Sequence, residues 1–428
     1  MLIDALNRTL LLMGTALNLD CTLETRLEAL TKTRVAISAD AAALRTVSGQ
    51  SALVTMATLM ARSGHEIWIA AEETLILSPQ PPLRGPNLLA GLVEAGLDLL
   101  PDCEIRRGAP QGRVDLAVLI GAPRWAGEAG QVIAMNAGDA WATLGGDAQP
   151  WAGDDQPLGG MATGALAAAE AFKSAMRRLR AYAPSPLHFD GDFAPAEPCK
   201  VVLAPDGRGY TGKLPPADLI SGGAIGNAVA FVLLRMPGVE GRLGVLDNDR
   251  SDLTNLNRNA LLRRSQTGGL KVDDLAGYAT GAVALEPRPI RFEPGTPLAA
   301  EVLIGVDDIA SRWAAQATDP QWLGVGATAG FSVQVSEHRP GDACAGCLHP
   351  VAAQAAGPIP TVAFVSFWAG LLLVARWLRN LAGGEALAAQ TFFSPLRPEG
   401  WAYADLGVAA NPACPVACIA SAGLQQRA

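Results

Sequence analysis

The feature that most constrains this chain is an order of segments stated twice. In the first half a β-branched run, Arg34-Val-Ala-Ile-Ser38, precedes a small-residue stretch from Ser51 to Arg62, a Gly-containing turn and a second run, Glu66-Ile-Trp-Ile-Ala70. In the second half Asp218-Leu-Ile-Ser221, then Ala224 to Arg235, then Arg242-Leu-Gly-Val-Leu246 come in the same order. Short apolar runs bounded by turns read as buried strands and the stretches between them as helices, so each half opens with a βαβ unit. The echo continues with Leu119-Ile-Gly121 against Leu303-Ile-Gly305, and Val132 to Asn136 against Leu323 to Gly326. Each half then has a long apolar helix behind a proline, Pro157 through Arg180 and Pro358 through Asn380.

The expected fold class is therefore α/β, with two Rossmann-like, doubly wound lobes whose apolar faces pack as an intrachain pseudo-dimer. The stretch from Ala183 through Pro205 is rich in Pro and Asp and shows no helical period, which suits a connector. The division is placed there, giving lobes 1–190 and 191–428. With 50% hydrophobic residues and a net charge of −8, the chain can fill two such cores and carries no basic run, which speaks against a nucleic-acid partner. The apolar stretch Val362 to Ala375 is shorter than the ~20 residues that span a bilayer and is closed by Arg376 and Arg379, so a core helix is expected and no membrane partner. Asp4 and Arg8 interrupt the apolar N-terminus, no cleavage site appears after it, and a cytoplasmic location is expected, where the seven cysteines stay reduced.

Chemistry concentrates in the second half. The strand ending at Ser221 runs into Gly222-Gly223-Ala-Ile-Gly226-Asn227 and a helix, a turn whose glycines let backbone approach a phosphate at the helix N-terminus. The next strand ends in Asp247-Asn-Asp249, where an acidic side chain suits a ribose hydroxyl. Taken alone, these features fit a tight structural turn or an NAD oxidoreductase equally well. Four cysteines fall in two close pairs, Cys344/Cys347 and Cys414/Cys418, a spacing compatible with a closed zinc site or with reduced, buried thiols.

The segment after the second strand is more specific. Asp247-Asn-Asp-Arg-Ser-Asp-Leu-Thr-Asn255-Leu-Asn-Arg258-Asn, with Gly269-Leu-Lys271 downstream, resembles the signature of the ubiquitin-activating and ThiF-type adenylyltransferase superfamily. In that family an arginine comes eleven residues after the first Asp and a lysine twenty-four after it, and Arg258 and Lys271 match both spacings. Thr254, Asn259 and Ser221 depart from the family's Ser, Gln and first Gly. The resemblance extends to Leu303-Ile-Gly-Val-Asp307, a strand ending in the aspartate that holds Mg²⁺, and to the two cysteine pairs as a zinc knuckle formed by Cys344, Cys347, Cys414 and Cys418. It also covers Leu6-Asn7-Arg8 through Gly14, whose arginine crosses to the partner lobe's nucleotide site. It implies ATP held by Gly222, Gly223, Gly226, Asp247, Asp249, Asn255, Arg258 and Lys271, with Arg8, Arg258, Lys271 and Asp307 acting in catalysis.

The first half lacks these groups. Ala71 stands where Asp247 would be and Pro123 where Asp307 would be, and Ala39-Asp-Ala-Ala-Ala-Leu-Arg-Thr-Val-Ser-Gly49 replaces the glycine turn. The resemblance thus implies an inactive lobe fused to an active one, as in bacterial enzymes that activate a ubiquitin-like protein. The implied reaction is adenylation of that protein's C-terminal glycine, then transfer to a cysteine and on to a conjugating enzyme. Two further readings stand beside it: adenylation of a sulfur carrier or peptide without a thioester, and a catalytically silent binding scaffold. The family's nucleophilic cysteine lies between the zinc pairs, but Leu348 to Ala413 contains none, and Cys199 in the connector is the nearest substitute.

Overall fold

A computed structural model describes residues 1–204, 210–351, 359–384, 389–401 and 404–418. Two sheets dominate it. The first runs, in spatial order, Ile105–Arg107, Glu66–Ala70, Arg34–Ala39, Val114–Ile120, Ala129–Ala137, Trp141–Leu144 and Cys199–Val202. The second runs Val283–Arg288, Val239–Leu246, Ala217–Ile220, Glu301–Ile304, Trp322–Ala329, Ser332–His338, Gln390–Phe393 and Ala404–Leu406, with Gly212–Lys213 beside Val239–Leu246. In both, the first five strands of this order are parallel and the later ones antiparallel, and Gly212–Lys213 pairs parallel to Val239–Leu246. The duplicated segment order is thus a duplicated topology: Arg34–Ala39 in one sheet and Ala217–Ile220 in the other both lie third in spatial order, and strand order reverses beside each.

Central parallel strands are covered on both faces and so read as unbroken apolar runs. Arg34–Ala39 is buried along all but its first residue, and Ala217–Ile220 along its whole length. The covering helices are Val47–Arg62 and Leu158–Arg177 in the first half, and Ala224–Leu233 and Ala363–Leu381 in the second. Within each half the two helices pack on one another, and Leu158–Arg177 also packs on Ala363–Leu381, so one core cluster draws on both halves. Phe172 and Phe364 meet at this seam with ring centroids 5.5 Å apart. Ala363–Leu381 holds the long apolar stretch, and among the described residues no helix is long and apolar enough to cross a membrane.

The same device brings each helix pair together. A Cβ on Gly164 would lie 2.8 Å from the Ala52 carbonyl oxygen, and one on Gly370 2.4 Å from the Ala228 Cβ. Neither site has room for a side chain.

The connector differs from expectation. Pro186–Phe193 is a short helix, with Phe189 and Phe193 buried at i, i+4 spacing, and Cys199–Val202 pairs with Trp141–Leu144 as the last strand of the first sheet. The first sheet therefore takes a strand from beyond residue 190, where the sequence suggested the division. Its Pro and Asp content hid two short apolar patterns, each below the length at which periodicity is decisive. Replacing Gly370 with Val should lower unfolding stability by about 1–3 kcal/mol through overpacking at the helix contact. Gly383→Ala, at a position with no atom within 4 Å but φ +69°, should cost less. Urea titration of the two variants checks the order.

Candidate functional site

A cavity of about 760 Å³ opens where the second sheet's strand order reverses, at the C-terminal ends of Ala217–Ile220, Val239–Leu246 and Glu301–Ile304. This is the crevice in which open α/β sheets bind ligands. Gly223, Asp247, Asp249, Arg258, Lys271 and Asp307 line it, and Arg8 joins them from helix Asn7–Thr15.

The chain leaves Ile220 through Ser221 at φ 91°, a region rarely occupied by residues with a Cβ. The Ser221 Oγ accepts a hydrogen bond from the Gly223 N–H at 3.0 Å, which offsets part of that strain. A Cβ on Gly226 would fall 1.9 Å from the Ser221 carbonyl oxygen, so only glycine lets the helix start this close to the strand. Asn227 holds the turn from behind: its Nδ2 donates to the Gly222 and Gly223 carbonyls at 2.7 and 3.2 Å, and its Oδ1 accepts from Leu261 N–H. Gly222 and Gly226 thus shape the turn without lining the cavity, whereas Gly223 lines it. Helix Ala224–Leu233 begins at Gly223 with no side-chain cap, and its first residues form part of the wall, which presents the positive end of the helix dipole to the cavity.

The equivalent corner of the first half is filled by the protein itself. Asp40 accepts from Ala43 N–H at 2.6 Å and Ala122 N–H at 2.7 Å, and Thr46 Oγ1 caps helix Val47–Arg62 by accepting from Gly49 N–H at 3.0 Å. A carboxylate and a hydroxyl of the chain stand where an anion would bind.

Acidic and basic groups of the open cavity are arranged in pairs. Asp247 accepts from the Gly222 and Asp249 N–H groups at 2.9 and 2.8 Å, which ties the glycine turn to the end of the neighbouring strand. Lys271 Nζ sits 2.7 Å from Asp249 Oδ2 and 3.8 Å from Asp247 Oδ2. Arg258 donates to the Thr254 carbonyl and, at 3.1 Å, to Asn257 Oδ1. Burial, and next the neighbouring charge of Arg8, push its guanidinium down to about 10. Arg8 Nη1 is shielded from solvent and has no hydrogen-bond partner among the described residues. Two adjacent guanidiniums, one with an unpartnered N–H, cost free energy until an anion joins them.

Asp307 is exposed to the cavity and makes no hydrogen bond or ion pair among the described residues, leaving its oxygens available to a hard cation such as Mg²⁺. Its neighbour Asp308 is committed to helix Ile309–Gln316, accepting from the Ser311 N–H and Oγ at 2.8 and 2.6 Å. Arg312 braces this strand end by donating to the Val306 carbonyl at 2.9 Å. Asn255 does not line the cavity. Its Oδ1 accepts from Asp252 N–H at 2.9 Å in a reciprocal cap of the turn Leu253–Asn255, a use that motif spacing does not distinguish from ligand binding. Arg291, which also lines the cavity, was not singled out from the sequence, since a lone arginine carries no pattern there.

The four sulfurs of Cys344, Cys347, Cys414 and Cys418 lie within 4.8 Å of one another, with Cys344 to Cys414 at 3.4 Å and Cys347 to Cys418 at 3.6 Å. Tetrahedral Zn–S bonds of ~2.3 Å place sulfurs about 3.8 Å apart, so the cluster fits zinc. Asn411 N–H donates to Cys347 Sγ at 3.3 Å, a bond that suits a thiolate. Burial raises the Cys344 and Cys347 thiols, so without a cation they stay protonated. Cys199 is no exposed connector thiol. It lies in a strand, and burial pushes it up to about 11, while Cys103 is pushed to about 12. Neither has the lowered pKa of a reactive thiolate. Residues 352–358, in the loop where a nucleophile is expected, lie outside the described residues.

Purified protein should carry one zinc per chain by plasma emission, and Cys414→Ser should lose it and melt several degrees lower. Ser221→Gly should keep the turn and leave stability unchanged or higher by up to about 1 kcal/mol, read from a urea midpoint.

Known proteins are similar to parts of this chain. Residues 34–185 match the family model of the BilD N-terminal domain, a little over a third of the chain. Uncharacterized protein y4jF of Sinorhizobium fredii is 29% identical over 139 residues, which are 31% of this chain and 27% of that protein, so the chain matches little more than a quarter of its relative's length. Among solved structures, E. coli MccB with MccA-N7isoASN aligns at 15% identity over 48% of this chain and 67% of that one, TM-score 0.40. MccB with ATP aligns at 15% over 47% and 65%, TM-score 0.39. PaaA aligns at 14% over 45% and 64%, TM-score 0.35.

Proposed function

We propose that this chain is an ATP-dependent adenylating enzyme that activates the C-terminal glycine of a ubiquitin-like protein. The observation that carries the reading is the pairing of Arg8 and Arg258, neither in an ion pair with a carboxylate among the described residues, beside a helix N-terminus without a side-chain cap. A cavity built this way receives polyanions.

In this reading the substrate's phosphates take the place of the missing partner between Arg8 and Arg258. Lys271 leaves Asp249 for a phosphate oxygen, which frees Asp249 and Asp247 to accept from the ribose hydroxyls. The carrier's carboxylate attacks the α-phosphorus, the bond to the pyrophosphate oxygen breaks, and acyl-adenylate and pyrophosphate result. Bringing two anions together is the barrier, and the fixed cations lower it without reorganising. Asp307 would hold Mg²⁺, which when bound neutralises phosphate oxygens. The four-cysteine cluster would hold zinc structurally, away from the reaction.

The activated carboxyl would then pass to a cysteine and a conjugating enzyme. A second reading ends at the adenylate, as for a sulfur carrier or a peptide. The absence of any cysteine from Leu348 to Ala413 favours it.

Carrier-dependent exchange of pyrophosphate into ATP tests both readings. Asp307→Ala should abolish exchange with an unchanged melting curve, and Arg8→Ala should lower it about 10²-fold. Absence of exchange with any small Gly-terminated protein or peptide substrate would leave only a binding scaffold. A dithiothreitol-sensitive adduct, rather than an adenylate cleaved by hydroxylamine alone, would mark the thioester route.

A further inference from the structure

We propose that Arg62, in the half without the cavity, is a positioning residue that holds Arg258 beside Arg8 in the other half. Arg62 closes helix Val47–Arg62 and is fully buried. Its Nη1 donates to the Leu256 carbonyl at 2.7 Å, and its Nη2 donates to the Ala260 and Leu262 carbonyls at 2.9 and 2.7 Å. These three carbonyls bracket Arg258. A guanidinium is a rigid planar fork, so it fixes all three at once.

The bracketed segment needs such a hold, because residues 256–263 form neither helix nor strand. The first half grips it again further on: Asp98 accepts from Ser265 N–H and Oγ through its carboxylate, at 2.9 and 2.5 Å, and from Arg264 N–H through its carbonyl at 2.7 Å. Asn257, next to Arg258, donates to the Oγ1 of Thr9, next to Arg8, at 2.8 Å. The two cavity arginines are therefore held by one cross-chain frame with Arg62 at its buried end.

Packing alone does not account for Arg62. Among the described residues it has no carboxylate partner, and burial pushes it down to about 9, which still leaves it charged at neutral pH. A buried charge hydrogen-bonded to carbonyls, with Arg263 close enough to oppose it and its Nε without a hydrogen-bond partner among the described residues, is less stable than an aliphatic residue of similar volume, so its use here is geometric.

Duplication supplies an internal control. Arg235, two residues beyond helix Ala224–Leu233 of the second half, is likewise buried and donates to Gln80 Oε1 at 2.9 Å and to the Pro81 carbonyl of the first half. The segment it holds carries no cavity residue.

The inference rests on the cavity being the ATP site, and the test separates the two. In the full chain, Arg62→Lys should raise the Kd for Mg-ATP at least fivefold, while Arg235→Lys stays within twofold of wild type. In an Arg258→Ala background, Arg62→Lys should change the Kd less than twofold, since the two arginines act as one unit. Amide exchange over 253–262 should accelerate at least tenfold in Arg62→Lys and not in Arg235→Lys. Arg62→Gln, which keeps two donors, replaces Arg62→Lys if the latter does not fold. Equal weakening by the Arg62 and Arg235 variants, or a full effect of Arg62→Lys without Arg258, would reduce Arg62 to a core residue and overturn the proposal. Failure of the wild-type chain to bind Mg-ATP would refute the ATP reading alone. Exchange at 253–262 would then decide: unchanged, the proposal falls, and accelerated only in the Arg62 variant, it stands.

Discussion

The molecule depends on the contact between helices Leu158–Arg177 and Ala363–Leu381. Each lies on a second helix of its own half, Val47–Arg62 or Ala224–Leu233, at a glycine that leaves no room for a side chain, and each also touches the other across the seam. Central parallel strands tolerate no exposed face. The seam therefore completes the cover of both sheets and merges two cores into one. It also sets where everything polar can go. The functional groups lie at strand ends and helix ends, because the interior between them has been given over to apolar packing.

With the frame common to both halves, the chemistry differs only at those ends. In one half the donors of the strand-to-helix turn are taken by Asp40 and Thr46. In the other the helix start carries no side-chain cap, and the cavity beside it is lined by Arg8, Arg258 and a lysine held by Asp249. Arg8 comes from the N-terminal helix, so the open cavity is assembled from both halves of the chain. The first half also supplies structure to the second through Arg62, Asp98 and Thr9.

Much of this was legible in the sequence. Repetition of β-branched runs, small-residue helices and late apolar helices pointed to the duplicated topology, because strand and helix periods are properties of local sequence. Spacing from Asp247 to Arg258 and Lys271 marked residues that do converge on one cavity. The connector was harder to read, since four strand residues and a two-turn helix fall below the length at which periodicity decides. Asn255 shows the limit of a motif, which gives a residue's place in a line but not the direction its side chain faces. Arg62 and Arg235 were visible as matched helix ends, yet an arginine there reads as solvated. Its burial follows from long-range packing across the seam, which no local pattern encodes.

Asp40 and Thr46 also divide the chain by what its stability answers to. A turn that binds its own side chains has a fixed free energy, indifferent to the surrounding solution. A turn left open gains RT ln(1 + [L]/Kd) from whatever anion it accepts, about 2.7 kcal/mol at a hundredfold excess over Kd. Since the two halves share one core, that gain is not confined to the half that binds. If the proposed function holds, the closed half would act as a thermodynamic reference and the open half would make the stability of the whole molecule a reading of ligand supply.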